Sequence, residues 1–446
     1  MREFVLSDLL DYTRDGEWGE GAPAEGLVAV RVIRGTDFDR VRFGDLSTLP
    51  LRYIKSHIAD RKVLAMGDVL IETAGGTKDQ PTGRTVLINE NIIRKAESPL
   101  ICASFARFLR PRKDIVDPEY LFWKLQAEYQ SGAIFPYHIQ HTGVARFQYT
   151  QFATQHILDF PNALIDQQSV ASVLSNLDDK IELNRRTSET LEAMGQAIFR
   201  DWFVEFGPVR RQLAGLVDPV EIMGGITSDP NRAAALAQLF PTVLGETGLP
   251  EGWRPGTLDT LADTAGESVA PAQLRAETPY IGLEHMPRRS IMLDDWDLAG
   301  NVSSQKTRFT RGQILFGKLR PYFHKVGLAP IDGICSTDIV VLDSHNSFDR
   351  ALVASCVSSD SFVAFTDQSS SGTKMPRTSW THMKAYELAI ADESVRRAFS
   401  ALVEPMHERI ITSVIENRTL AETRDYLLPR LMSGAVRVAD VETEAL

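Results

Sequence analysis

The stretch DQQSVASVLSNLDDKIELNRRTSETLEAMGQAIFRDWFVEFGPVR (Asp166 to Arg210) decides the fold. Within it Val170, Leu174, Leu177, Ile181, Asn184, Ser188, Leu191, Gly195, Ile198 and Trp202 fall at alternating spacings of four and three, the signature of a helix with a partner. No proline interrupts that run. A helix from about Asp166 to Glu205 would be roughly 60 Å long at about 1.5 Å per residue. Shifted by 233, the same seam reads Val403, His407, Ile410, Val414, Asn417, Ala421, Arg424, Leu428 and Leu431. Two such seams in one chain satisfy each other, so mutual antiparallel packing is expected. Asn184 and Asn417 take equivalent core positions, where a polar residue fixes register at some cost in stability.

The repeat extends outward from the helices. Leu6 and Leu9 recur as Leu258 and Leu261, Gly67-Val69-Leu70-Ile71 as Gly312-Ile314-Leu315-Phe316, and Arg146-Tyr149-Thr150 as Arg377-Trp380-Thr381. Asn184, Arg185, Glu189 and Thr190 recur as Asn417, Arg418, Glu422 and Thr423, giving collinear offsets of 252, 245, 231 and 233. Two copies at so long a period exclude a solenoid or propeller and describe two domain-sized units. Globular copies are expected over 1–163 and 251–391, helices over 164–206 and 392–437, and a Pro-, Gly- and Asp-rich surface linker over 207–250. The expected class is α+β: two globular domains of mixed α/β structure, each followed by a long helix, the two helices forming an antiparallel coiled coil in a pseudo-twofold internal repeat.

Composition narrows the function. A hydrophobic content of 43% with 24% charged residues is that of an ordinary globular protein. No apolar run approaches the roughly 20 residues of a membrane span, and the opening MREFVLSDLL lacks a basic flank before an apolar core, so a cytoplasmic location with no membrane partner is expected. Cys102, Cys335 and Cys356 are too few and too scattered for a disulfide framework or a CxxC metal site, and read as buried small apolar residues. The net charge of -11 argues against nucleic acid only as an average. From Leu298 to Ile331 no acidic residue precedes Asp332, while Lys306, Arg308, Arg311, Lys318, Arg320 and Lys325 form a basic run, with Arg107, Arg110, Arg112 and Lys113 a smaller cluster. Such runs are either solvated faces or phosphate contacts.

Catalytic patterns are weak. Gly312 to Lys318 matches most of a P-loop, but Leu319 offers no hydroxyl to a magnesium ion and Ile-Leu-Phe is a strand where the motif needs a loop. His138 and His141 lack companion ligands, Asp178-Asp179 reads as a solvated helix face, and no nucleophile elbow or dinucleotide fingerprint is present. The loops GGTKDQPTGR (Gly75 to Arg84) and SSSGTKMPRTSW (Ser369 to Trp380) instead offer amides, hydroxyls, Gln, Lys and Arg, groups suited to phosphates and base edges.

At these residues the chain resembles the specificity subunits of type I restriction-modification systems. Asp166 to Arg210 looks like the central conserved helix of that family, and LFP followed by GLPEGW like its run into a second target-recognition domain. GQILFGKLRPYFHKVGLAPIDGICSTDIVVL (Gly312 to Leu342) and SGTKMPRTSW (Ser371 to Trp380) resemble one type of recognition domain, and GDVLIETAGGTKDQPTGR (Gly67 to Arg84) another. The resemblance implies a non-catalytic subunit without cofactor, whose two domains each bind half of a bipartite, asymmetric double-stranded DNA site on a helical spacer. It further implies assembly with two modification subunits, which bring S-adenosylmethionine and methylate adenine, and with restriction subunits carrying motor and nuclease. Candidate DNA contacts are then Lys78, Gln80, Arg84, Gln140 and Arg146 in the first copy, and Lys318, Arg320, Tyr322, Lys325, Lys374 and Arg377 in the second. Leu177, Ile181, Asn184, Leu191, Val414 and Asn417 would form the spacer. Pro405, His407, Arg424 and Pro429 make the second helix a less regular match to that family than the first. A single-chain DNA-modifying or cleaving enzyme, and a coiled-coil adaptor that binds no DNA, are the competing classes.

Overall fold

The computed structural model of the chain describes residues 1–76, 80–140, 144–368 and 376–439. Two compact units divide it: Met1–Glu182 with the chain from Leu420 onward, and Leu183–Thr419. Each unit therefore takes a segment of both long helices, Leu164–Phe199 and Glu393–Ser433.

In the first unit an antiparallel four-stranded sheet has the order Leu10–Asp15, Ala106–Pro111, Val69–Glu72, Thr85–Leu87. A three-stranded sheet orders Leu51–Lys55, Leu27–Ile33 and Leu100–Cys102, the last pair parallel. Arg2–Val5 pairs with Ile157–Phe160, tying the start of the domain to the residues that lead into the first helix. The second unit repeats this plan. Its four-stranded sheet runs Ala262–Thr264, Ile339–Ser344, Ile314–Gly317, Val326–Leu328. Asp297–Leu298, Pro279–Ile281 and Gly333–Cys335 repeat the three-stranded sheet with its parallel pair, extended by Lys306–Phe309 and Ser268–Val269. Arg254–Thr257 on Glu387–Ile390 repeats the closing pair.

The residues explain the match. Val69–Glu72 and Ile314–Gly317 are buried throughout, as continuous apolar runs are when a central strand is covered on both faces. Each is entered through a left-handed glycine, Gly67 at φ +93° and Gly312 at φ +86°, a conformation that other residues adopt only with strain. Because Ile314–Gly317 is hydrogen-bonded on both sides, the Gly312–Lys318 segment is a strand and no phosphate-binding loop. The three cysteines are free and buried, and burial pushes each thiol up to about 12.

The long helices pack antiparallel within each unit. In the second, Asn184 donates from Nδ2 to Asn417 Oδ1 at 2.9 Å, and Arg409 donates to Asn184 Oδ1 at 3.0 Å. Further along the first helix Gly195 faces Val403, earlier in the second, so closely that a Cβ would lie 3.3 Å from Val403 Cγ1. His407 is buried in this seam, and burial lowers its imidazole to about 4, so it is neutral at neutral pH. In the first unit Leu174 shares a core with Leu428, Leu431, Tyr120 and Trp123. Of the expected spacer residues, Asn184 and Val414 are buried while Leu177, Ile181, Leu191 and Asn417 are half-buried. Pro405 and Pro429 lie on the exposed side of a helix that continues through them, each removing one backbone donor.

Two sequence readings are corrected. Asp178 is not a solvated carboxylate: it accepts from Arg42 Nε at 2.7 Å and from Arg424 Nη1 at 2.6 Å, with its side chain 14% exposed. Residues 207–250 are not a surface linker. They form helices at Gly207–Leu213, Pro219–Ile222 and Pro230–Ala237, and Val209, Met223 and Phe240 are buried with Trp202 and Trp253. The prolines and aspartates that suggested a linker start helices: Asp218 and Asp229 accept from the amides of Val220 and Asn231, and Pro follows each in the first turn.

A half-buried acid joins the first helix to the second domain. Glu192 accepts from the Ile291 amide at 2.9 Å and the Ser290 hydroxyl at 3.0 Å, and burial raises its carboxyl to about 7. A raised acid pKa disfavours the charged form on folding, so stability is greatest below the ordinary value of 4.5, falls as pH rises to about 7, and stays lower above. Glu192→Gln mimics the neutral acid and removes the slope. Urea unfolding is expected to show the variant about 3 kcal/mol more stable than wild type at pH 8 and equal to it below about pH 4, at about 1.4 kcal/mol per pH unit between 4.5 and about 7. A pH-independent difference would contradict this.

Candidate nucleic-acid interface

One backbone bridge recurs in both units. Ala74 bridges Arg146 in the first and Leu319 bridges Arg377 in the second. Ala74 and Leu319 stand at equal distances after Gly67 and Gly312, and Arg146 and Arg377 are themselves repeat partners, so two collinear parts of the repeat meet in space.

A cleft opens at each bridge, about 780 Å³ in the first unit and about 470 Å³ in the second. Val69 pairs with Leu109 and Ile314 with Leu342, which sets the register of the remaining walls. Seven lining positions then correspond: Thr73 to Lys318, Ser104 to Thr337, Arg107 to Val340, Arg146 to Arg377, Phe147 to Thr378, Gln148 to Ser379 and Tyr149 to Trp380. The position is shared and most of the side chains differ.

In the first cleft Arg146, Gln148, Thr150 and Gln151 are exposed, as is Phe105. Arg107 is held by Asp15 at 2.7 Å and lies 4.4 Å from the centre of the Tyr149 ring. In the second cleft the amide of Lys318 donates to Asp338 O at 2.9 Å and that of Thr378 to Lys318 O at 3.0 Å. Arg377 is exposed and contacts Asp338 at 3.2 Å, while the buried Thr378 hydroxyl has no hydrogen-bond partner among the described residues. Each wall thus combines a guanidinium, hydroxyls, and an aromatic ring, with side-chain amides in the first, a set able to bind phosphate and base edges. Among the described residues no group of three or more His, Cys, Asp or Glu is placed to hold a metal, and no helix is long and apolar enough to cross a membrane.

The other candidates are placed as follows. Gln80 and Gln140 are exposed loop residues. Arg84 is engaged internally, donating to Glu72 and to the Gly35 carbonyl, each at 2.9 Å, with its side chain 14% exposed. Lys325 donates to the Leu283 carbonyl. Arg320 is half-buried, its amide bonded to Pro376 O at 2.8 Å, and Tyr322 is 49% exposed. Lys78 and Lys374, like His141, lie outside the described residues.

The basic run from Leu298 to Ile331 does not make one face. Lys306 is buried on Ser304, Arg311 pairs with Glu408 at 2.7 Å, and Lys325 is tied to a carbonyl, which leaves Arg308, Lys318 and Arg320. In the smaller cluster, Arg107, Arg110 and Arg112 contact Asp15, Asp68 and Asp114. Linear charge density misled here because strands send alternate side chains to opposite faces. Conversely, Ser104, Gln148 and Gln151 were missed as cleft residues. Extending the repeat pairing by one or two positions on either side of Arg146 and Arg377 would have found Gln148.

No family model matches the chain. Among curated proteins it is 24% identical over 441 residues to the Haemophilus influenzae type I restriction enzyme HindI specificity subunit, covering 84% of this chain and 88% of that protein. It is 21% identical over 356 residues to the MjaIX specificity subunit of Methanocaldococcus jannaschii, covering 78% and 75%. Among solved structures, the type I restriction-modification S subunit from M. genitalium superposes with a TM-score of 0.54 at 13% identity, over 96% of this chain and 95% of that one. Over most of its length the chain is similar to type I restriction enzyme specificity subunits, and it has the fold of the M. genitalium S subunit.

Proposed function

We propose that this chain is the DNA-recognition subunit of a type I restriction-modification complex, with adenine methylation and ATP-dependent cleavage carried by partner subunits. Each unit reads one half of a bipartite double-stranded site through its cleft, and the paired helices space the halves. The observation that carries this reading is the pair of clefts at equivalent positions with divergent side chains. A common frame with different walls suits an asymmetric site. The names of the curated relatives support the subunit assignment.

The spacer role has a direct test. One heptad inserted between Glu182 and Leu183 and another between Thr419 and Leu420 leaves the Asn184–Asn417 and Asp178–Arg424 contacts intact. Seven residues add roughly 10 Å of helix, about three base pairs at ~3.4 Å each. Mapping methylated adenines in cells is expected to give a bipartite motif that vanishes without the chain. With the insertions, both halves persist and the gap lengthens by about three base pairs. A motif indifferent to the chain would overturn the function, and an unchanged gap the spacer.

A further inference from the structure

Among the described residues four non-glycine residues have left-handed backbones, and three of them, Arg289 (φ +56°), Arg320 (φ +51°) and His324 (φ +52°), converge on one turn. Arg320 and His324 bound the single turn Pro321–Phe323, and the amide of Arg289 donates to the carbonyl of His324 at 2.8 Å. Such conformations cost stability and persist only where surrounding contacts enforce them. Here the enforcement is visible. His324 Nε2 lies 2.8 Å from the Ser358 carbonyl, Lys325 binds the Leu283 carbonyl, and Pro321 is buried. The base of the turn is locked and its tip is left outside.

The tip is aromatic and flanked by charge. Tyr322, 49% exposed, stands edge-on to Phe323 with ring centres 4.8 Å apart. The guanidinium of Arg288 lies 4.0 Å from the Phe323 ring centre and that of Arg320 5.9 Å from it. Asp360 offsets part of the local charge by pairing with Arg289 at 2.8 Å and facing His324 at 3.4 Å. The turn also adjoins the second cleft, because Lys318 lines that cleft and the Arg320 amide is bonded to Pro376, next to Arg377. The equivalent loop of the first copy, AGGTKDQPTGR from Ala74 to Arg84, contains no aromatic residue.

We propose that Tyr322 is a wedge that stacks into one base step of the second half-site and unstacks it, with Arg288 and Arg320 on the flanking phosphates. Proteins that deform duplex DNA insert rigid apolar or aromatic side chains between bases in this way, and sequence-dependent ease of unstacking then contributes to specificity. The inference rests on the DNA-recognition reading above, and it gives the second half-site one locally opened base step.

The test uses the chain assembled with its modification subunits on duplexes carrying 2-aminopurine at successive positions of both half-sites, with binding followed separately by anisotropy. One position in the second half-site is expected to brighten several-fold with wild type and with Tyr322→Phe, and to fall to the free-duplex level with Tyr322→Ala. First-half probes give the same signal with all three. Brightening at the target adenine itself, which base flipping by a methyltransferase produces, survives the alanine. A bound wild-type complex with no bright step in the second half-site, or brightening there that Tyr322→Ala retains, overturns the wedge and leaves DNA recognition standing. Absence of specific binding by the wild-type complex overturns both.

Discussion

Replacing Asp178 by alanine is expected to destabilise the first unit by about 3–5 kcal/mol, the range for removing one partner from a buried ion pair. The carboxylate receives Arg42 from the short helix Phe38–Arg42 and Arg424 from the second long helix, while itself standing on the first. Both guanidiniums are largely shielded, 19% and 14% exposed, so neither gains much water when the acid leaves. Burial works against the charge of Arg424, and Asp178 together with the more exposed Asp425 more than offsets it and holds the guanidinium above its ordinary value. Arg42 also lies 5.3 Å and 5.1 Å from the ring centres of Phe122 and Trp123, so its displacement would disturb packing. Hydrogen exchange resolves the effect: amides of the first unit are expected to lose protection in Asp178→Ala, while those around Asn184 in the second keep it. Asp179→Ala, on the exposed side, should stay within about 1 kcal/mol of wild type. Equal losses for the two aspartates would show that the triad contributes nothing special.

The second large effect concerns recognition. Arg146→Ala and Arg377→Ala each remove the exposed guanidinium at the bridge of one cleft, and each is expected to weaken only the half-site read by its own unit. A lost bidentate base contact costs about 1–3 kcal/mol, roughly a five- to 150-fold change in affinity. Competition against duplexes with one half scrambled separates the cases. Arg146→Ala should still discriminate against a scrambled second half, and Arg377→Ala against a scrambled first half. A phosphate contact would instead weaken all sequences alike and flatten the salt dependence. Neither arginine belongs to a core, so folding is not at stake.

How much of this was legible beforehand follows from which forces act locally. The seams are a periodic signal, and Asn184 and Asn417, paired by sequence offset alone, are hydrogen-bonded in the fold. The strand runs at Val69 and Ile314 were legible because a covered central strand is apolar throughout. What failed were readings of charge and punctuation. The roles of Asp178 and Arg409 depend on partners 246 and 225 residues away, which no local pattern encodes. Residues 207–250 carried prolines and aspartates that serve equally to begin helices and to fill loops, and only the burial of Met223 and Phe240 decides between them. The clefts were half legible: the repeat named Arg146 and Arg377, while the walls around them come from strands and loops that the chain brings together late.

In the proposed function two equivalent clefts read two different half-sites independently. The most direct measurement of this is selection from duplex libraries randomised in either half, using the assembled complex with wild-type chain, Arg146→Ala or Arg377→Ala. Each variant is expected to relax or weaken selection in one half only, a different half for each, with the other half selected as in wild type. Relaxation of both halves by either variant, or of neither half by both, would contradict it.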